Sequence, residues 1–575
     1  MDRTRRVARA DGAATVERRH ARRHAGRPGR RDRGDRRRLP RRERRGCDRR
    51  PAVVAHRRPR GARATHSRRQ VQRPVARTGR TRRRRPESAR IRCERNFSER
   101  RRSGPRRRRD RPTRRRARAR REVAVIDAIV RAVHATPGVS EYAIAERAVV
   151  RRVVTTAADR VDRRHTAHVH VFVDGVAGRG QTAFDVREHD LDDLTALVRR
   201  AADRAARGRG PAWTLPPPGA PARVAVFDAR LSDPDAAAAI ASALVRATRG
   251  GGPVEAAAGE PIRVDAWRVA VDSERVEVAA STGLRTAYRA TRATVDAIVA
   301  PVAAGAPRAA VVAIARRRRA DLALGRELVA AGRRVRALRR AEPVAAGRYA
   351  IALDARAVDH AARIASRRAH DPRGPERFGW FAPLAHHADG GTARRGVARY
   401  LPGASIFGER DATGDPLSVA SDGALPFGLA SAPVGDLGEP VRRFALVTDG
   451  VAAGFGLDAR EAGLRGVPAN GGVRNLVVAP GSLDGRSARD VARAAGGDEP
   501  TLAVDELADV HVDLVRGSVT AIVAAGEVDG RPVAGAAVTL NLYEALAAAR
   551  WTRAVVDRGW YRGPTAWWLP GARVA

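Results

Sequence analysis

The 575-residue chain carries 112 basic and 63 acidic side chains, a net charge of +49, and every basic residue among them is arginine. The absence of lysine excludes a P-loop and any Schiff-base mechanism, since both need a lysine amine, and fits a GC-rich coding sequence. Residues 1–122 hold 51 arginines against 12 acidic side chains, which leaves the body only mildly basic with a surplus of 10.

From Met1 to Arg121 neither a helical nor a strand period is sustained, and the few apolar residues cannot offset the entropy of ordering. The expectation is a disordered Arg-rich N-terminal tail. Runs such as Arg82–Arg85, Arg106–Arg109 and Arg114–Arg116 would hold nucleic acid or anionic lipid without reading sequence. Translation of a GC-rich gene upstream of its true start gives the same composition, with Val123 as a candidate beginning. Both cysteines, Cys47 and Cys93, lie in this segment, so the body is without thiols, which excludes cysteine proteases and cysteine-type zinc sites there. No apolar run approaches the ~20 residues of a membrane helix, and no apolar signal core follows Met1. A soluble, cytoplasmic protein is expected.

The body reads as α+β: small mixed N-terminal domains followed by a large, mostly antiparallel β-rich C-terminal domain. The expected domains are 123–207 and 222–340, separated by a linker at 208–221 containing Pro216-Pro217-Pro218-Gly219, and then 341–575. In chain order, the spacing predicts an entry helix up to Thr136-Pro137-Gly138 and strands at Glu146–Thr155 and His168–Val173. Asp174-Gly175 predicts a hairpin returning through Gly178–Phe184, and a helix follows from Leu191 to Ala206. Next come a strand at Arg223–Phe227, a helix from Ala236 to about Arg249, and strands at Ile262–Val271, Val276–Ala280 and Leu284–Val295. Beyond Ala341 short β-rich stretches alternate with turns such as Asp422-Gly423 and Asp449-Gly450, with helices at Ala355–Arg368, Ala488–Ala495 and Leu542–Ala549.

Among the histidines, His168 and His170 stand two apart on a strand and share a face, but no third ligand lies at a recognisable spacing, so they read as a hydrated strand face. His386-His387 reads as a solvated loop pair. No Gly-x-Ser-x-Gly elbow occurs. Asp228, Asp233 and Asp235 are explained largely by helix capping. Trp551, Trp560, Trp567 and Trp568 form either a last core layer or a subunit interface.

Several blocks in order resemble the TldD/PmbA (TldE) family, the modulator-of-gyrase metallopeptidase-related proteins. They are Gly472-Val473-Arg474-Asn475-Leu476-Val477-Val478-Ala479-Pro480-Gly481, Asp436-Leu437-Gly438-Glu439 with Asp449-Gly450-Val451, and Thr539-Leu540-Asn541-Leu542. Upstream, Val173-Asp174-Gly175 and Ser281-Thr282-Gly283 are similar to the family's domain hairpin and turn. The resemblance implies a two-subunit peptidase acting on unfolded peptides. One subunit holds zinc on His-Glu-x-x-x-His plus a cysteine, and the PmbA/TldE-like partner lacks the metal. Family-signature positions here are Asn475, Leu476, Pro480, Gly481, Asn541 and Leu542. The zinc motif corresponds to His360-Ala361-Ala362-Arg363-Ile364-Ala365, where Ala361 replaces the general base and Ala365 the second ligand.

The resemblance therefore implies a non-catalytic PmbA/TldE-like subunit with no cofactor or catalytic residue of its own. Its expected partners are a zinc-bearing TldD-like sister, or a second copy, and an unfolded peptide. The peptide would add to a strand edge, with Val477–Pro480 and Val533–Asn541 as cleft-forming stretches. Two alternatives stand beside it: an active metallopeptidase with a non-standard site drawn from His360, His370, His386 or His387, and a nucleic-acid-binding protein acting through the tail.

Overall fold

The computed structural model describes residues 124–575 except 177, 209, 304–308, 369–373 and 496–498, with the backbone alone described at 124 and 365–368. The tail with Cys47 and Cys93, and His370, lie outside the described residues.

Helix α1 (Ala124–His134) forms where apolar residues repeat on one stripe, and Ile126, Ile129 and Val133 are its buried face. It is followed by β1 (Val139–Thr155), β2 (Asp159–Gly175), β3 (Gly178–Arg187) and α2 (Leu194–Arg207). The hairpin expected at Asp174-Gly175 joins β2 to β3. After the linker come α3 (Ala236–Ala247), α4 (Pro253–Ala258), β4 (Ile262–Ala280), β5 (Arg285–Pro301), β6 (Ala310–Arg316) and α5 (Leu324–Leu338). These strands make one six-stranded antiparallel sheet in the order β3-β2-β1-β4-β5-β6, with β1 paired to β4 along most of its length. One face is apolar and covered: Ile144, Val169 and Val171 pack on α1 and α2, and Val269, Val271, Val295 and Val299 pack on the group of α3, α4 and α5.

Two sequence expectations change here. The two strands expected at 262–271 and 276–280 are a single strand, because Asp272, Ser273, Glu274 and Arg275 keep pairing with β5 and place their polar side chains without breaking the ladder. Arg223–Phe227 is extended but not a strand. Its backbone bonds go singly to different partners, Ala222 to Pro433, Phe427 to Ala225 and Thr291 to Val226.

The rest of the chain adds β7 (Gly347–Asp354), α6 (Ala355–Arg368), β8 (Val419–Asp422), β9 (Arg443–Thr448), β10 (Val451–Ala452), β11 (Asn475–Val478), β12 (Thr501–Val512) and β13 (Ser518–Val528). It ends with β14 (Arg531–Val533), β15 (Ala537–Asn541), β16 (Arg550–Trp551), β17 (Val555–Asp557), β18 (Tyr561–Pro564) and β19 (Ala566–Val574). Strand β12 pairs with β7 on one side and β13 on the other, so β12-β7-β19-β15-β13 closes into a ring whose strands have no free edge within it. A second sheet runs β10-β9-β8-β11-β18-β17. Pairing is antiparallel apart from β7–β12 and β11–β18. The tryptophans are core: Trp551, Trp560 and Trp567 are buried, and Trp568 packs half-buried beside them. Each indole N–H finds an acceptor, on Ala479, Asp359, Tyr561 and Thr501 in turn.

A buried set of charges joins the two halves. Glu327 of α5 accepts from Arg558 at 2.9 Å and Arg356 at 2.8 Å. Asp359 of α6 accepts from the Trp560 indole at 2.9 Å and lies 3.5 Å from Arg316 of β6, which also donates to the Arg558 carbonyl at 2.9 Å. Burial alone would raise the Glu327 carboxyl, but Arg558 and Arg356 outweigh it and hold it at about 2. A buried pair that loses one partner strands the other, at a cost of about 3–5 kcal/mol. Because the folded carboxyl is depressed, its contribution is present above the ordinary carboxylate range and is lost as pH falls toward 2. Glu327→Gln should therefore lower the unfolding free energy by about 3–5 kcal/mol at pH 7, with the deficit narrowing in acid. Denaturant unfolding at neutral and acidic pH measures both effects.

Candidate functional site

Strand alternation puts charge on the sheet face opposite the helices. Arg147 and Arg151 of β1, Asp272 and Glu274 of β4, and Arg292 and Asp296 of β5 share that face, with Arg317 directly after β6. The carboxy-terminal half frames it on two sides. The loop 433–441 brings Asp436 to Arg147 at 2.6 Å, while α6 brings Arg363 to Asp296. Arg317 donates to the carbonyls of Leu429 and Ser431 at 2.9 and 3.2 Å, tying the neighbouring loop to the sheet. The result is a polar recess between two parts of the chain distant in sequence.

Within it the ions pair off. Arg147 takes Glu274 and Asp436, and Arg151 takes both oxygens of Asp272, at 2.6 and 2.8 Å. Asp272 is also the cross-strand partner of Arg292, but Arg151 already occupies its carboxylate. Enclosure by the side chains around it lowers the Arg292 guanidinium below its ordinary range, although the residue still reaches solvent, and the charges of Asp272 and Asp296 act against those of Arg363 and Arg151. Burial also pulls Arg317 down to about 10.

The loop 433–441 keeps its shape through Gly438, whose φ of 84° favours glycine and whose Cβ would meet Leu284 at 2.7 Å. Glu439 turns inward and accepts from the Leu437 amide at 3.0 Å. Burial pushes its carboxyl up to about 7, with Asp436 and Asp458 adding to the rise against Arg474.

Helix α6 carries the motif region. His360, Arg363 and Ile364 are half-exposed, whereas Ala361 and Ala362 are buried. The segment Pro375–Phe381 crosses the helix there: Gly379, at φ 53°, lies so close that a Cβ would come within 2.5 Å of the Ala362 amide and 2.8 Å of the Ala361 carbonyl carbon. The side chain of Ala365 lies outside the described residues. Among the described residues no group of three or more His, Cys, Asp and Glu could hold a metal ion. The zinc ligand set implied by the resemblance does not fit these positions.

The remaining expectations fall as follows. His168 is partly exposed and bonded to Asp185 at 2.8 Å. His170 is half-buried, and burial first, then His168, pushes it down to about 4. His386-His387 is not a solvated loop pair. It ends the helix Ala382–His387, and His387 is buried, bonded to the Val515 carbonyl at 3.0 Å and accepting from the Arg399 amide at 3.1 Å. The packing of Tyr400 and Tyr543 around it creates that burial, which the local sequence does not reveal.

The signature residues have building roles. Asn475 is buried and grips the 422–431 loop through Asp422, Ser431 and Ala430, and Asn541 caps the helix Leu542–Ala547. Leu476 and Leu542 are core, and Gly481 after Pro480 donates to the Thr552 carbonyl. Neither stretch proposed to form a cleft offers a strand edge. Val477 and Val478 sit in β11 between β8 and β18, and Val533–Asn541 pairs with β13 while Glu342 and β19 take its other side.

Residues 397–574 match the PmbA/TldA metallopeptidase C-terminal domain. The carboxy-terminal domain is therefore similar to the C-terminal domain of the TldD/PmbA family. Over the described chain as a whole, the fold is similar to that of three solved structures. TldE from Thermococcus kodakarensis superposes with a TM-score of 0.58 at 16% identity, covering 79% of this chain and 100% of that one. A candidate modulator of DNA gyrase from Bacteroides thetaiotaomicron gives 0.58 at 15% identity, covering 79% and 99%. Another from Thermotoga maritima gives 0.56 at 14%, covering 76% and 95%. At such identities the likeness is one of fold. No curated protein matches the chain in sequence. No helix among the described residues is long and apolar enough to cross a membrane.

The recess was missed in sequence because its residues come from β1, β4, β5, α6 and a loop near residue 436. The signal available was the polar member of each alternating pair at 147, 151, 272, 274, 292 and 296. Glu439 gives a direct check on the loop that frames it. With its folded carboxyl raised, stability is fully present below the ordinary carboxylate range and declines as pH rises through about 7. Glu439→Gln should melt higher than the parent at pH 8.5 and no higher at pH 5. A variant that melts lower at both values would contradict the buried, proton-holding Glu439.

Proposed function

We propose that this chain is the metal-free, PmbA/TldE-like subunit of a TldD/PmbA-type peptidase, and that its recess receives an extended, unfolded peptide. The observation that carries this reading is the state of the motif helix. The position of the general base, Ala361, is sealed beneath Gly379, and Arg363, paired to Asp296, occupies the open side where a cation would have to sit. A guanidinium at that place repels Zn²⁺, and the carboxylate of this helix, Asp359, is buried against Arg316 and the Trp560 indole.

The chemistry this chain supplies is positional. Paired ions along β1, β4 and β5 hold the recess rigid and present it beside α6, so a main chain lying there is bound and oriented for a metal centre supplied by a sister subunit. The binding mode first expected, strand addition at Val477–Pro480 or Val533–Asn541, is dropped, since those backbones are already paired.

Peptidase activity should be absent from the full chain alone and appear on mixing it with a zinc-bearing TldD-type protein from the same cell. Unfolded-peptide cleavage followed against mixing ratio measures it, and a mixture no more active than the TldD-type protein alone would count against the subunit reading. Ala361→Glu should bind no zinc and should lose about 3 kcal/mol or more of stability, as a charge forced into a packed site. Elemental analysis and denaturant unfolding of that variant test the sealed position.

A further inference from the structure

One guanidinium of the recess is without a partner among the described residues. Among the described residues, the guanidiniums of Arg147, Arg151, Arg292, Arg317 and Arg363 share it with the carboxylates of Asp272, Glu274, Asp296 and Asp436. Four of the five have ion-pair or carbonyl partners. Arg292 makes no hydrogen bond or ion pair among the described residues, although it sits in the row Arg151–Asp272–Arg292 across three strands. It remains exposed to solvent.

The neighbouring arginines are short of acceptors as well. The Nε atoms of Arg363 and Arg317 are buried without a hydrogen-bond partner, although the far ends of both side chains are engaged. Buried donors left unmade are costly, and native interiors rarely leave several together. Unmet N–H groups beside a guanidinium without a partner call for an acceptor-rich anion. A carboxylate meets that description, and its two oxygens match the planar guanidinium fork of Arg292.

We propose that Arg292 is a recognition residue for a carboxylate of the bound peptide, supported by Arg363 and Arg317 on either side. The proposal rests on the peptide-binding reading above and deepens it by naming the group that is read. Two sources share this chemistry, the free C-terminal carboxylate and an Asp or Glu side chain.

The test uses the full chain and an N-terminally dansylated, unstructured decapeptide of Ala, Val and Ser in three forms. One form ends in a free carboxylate, one is C-terminally amidated, and one is amidated with a single internal Glu. Binding is read by dansyl fluorescence. A charge-assisted bidentate contact should make the acid form bind about tenfold or more tighter than the plain amide. Tight binding of the Glu-containing amide would instead identify the side-chain source.

Either preference should disappear in Arg292→Gln and persist in part in Arg292→Lys. Because Arg292 has no hydrogen-bond or ion-pair partner among the described residues to lose, Arg292→Gln should melt close to the parent, which separates lost recognition from lost folding. Equal binding of all three peptides, or a preference that survives Arg292→Gln, would overturn the inference and leave the peptide-binding reading intact. Failure of every peptide to bind would overturn both.

Discussion

The architecture hangs on the buried charges around Glu327 and Asp359. Arg558, in the turn before β18, reaches Glu327 on α5, and Arg316 at the end of β6 reaches Asp359 on α6 and the Arg558 carbonyl. These groups are almost fully removed from water, so each depends on the others for its solvation, and no single element can shift alone. The same contacts fix α6 between the sheet and the tryptophan-rich core. Its outward face then stands over the recess, while its inward face meets Gly379.

From that placement the chemistry follows by subtraction and by charge. Gly379 is pressed against the helix backbone at residues 361–362, and Ala361 is fully buried there. The free side of the helix carries Arg363, which the sheet answers with Asp296. The recess is organised around guanidiniums and carboxylates. Among the described residues, its pairing leaves Arg292 as the group whose partner would come from outside, which makes the same surface both rigid and selective.

Much of the scaffold was legible in the residues themselves. The β2–β3 hairpin follows from strict alternation ending in Asp174-Gly175, and α6 and the helix Leu542–Ala547 follow from helical spacing with clear starts. What failed did so for tertiary reasons. The polar run Asp272 to Arg275 looks like a break but continues a ladder, and Arg223–Phe227 looks like a strand but is held by scattered single bonds. His387 looks solvated until Tyr400 and Tyr543 close over it. The recess itself could not be read from any window of sequence, because Arg151, Asp272, Arg292 and Arg363 meet only through strand register and helix docking. The stretch at His360, by contrast, was visible in sequence as similar to a zinc motif with substitutions, and in the fold Ala361 is buried with the 361–362 backbone against Gly379.

The most direct test of this account is the zinc content of the full chain purified alone under chelator-free conditions, measured by elemental analysis. The account predicts only trace, substoichiometric zinc, unchanged by His360→Ala. Stoichiometric zinc that is lost in His360→Ala would contradict it and place a metal centre on the very helix face argued to exclude one.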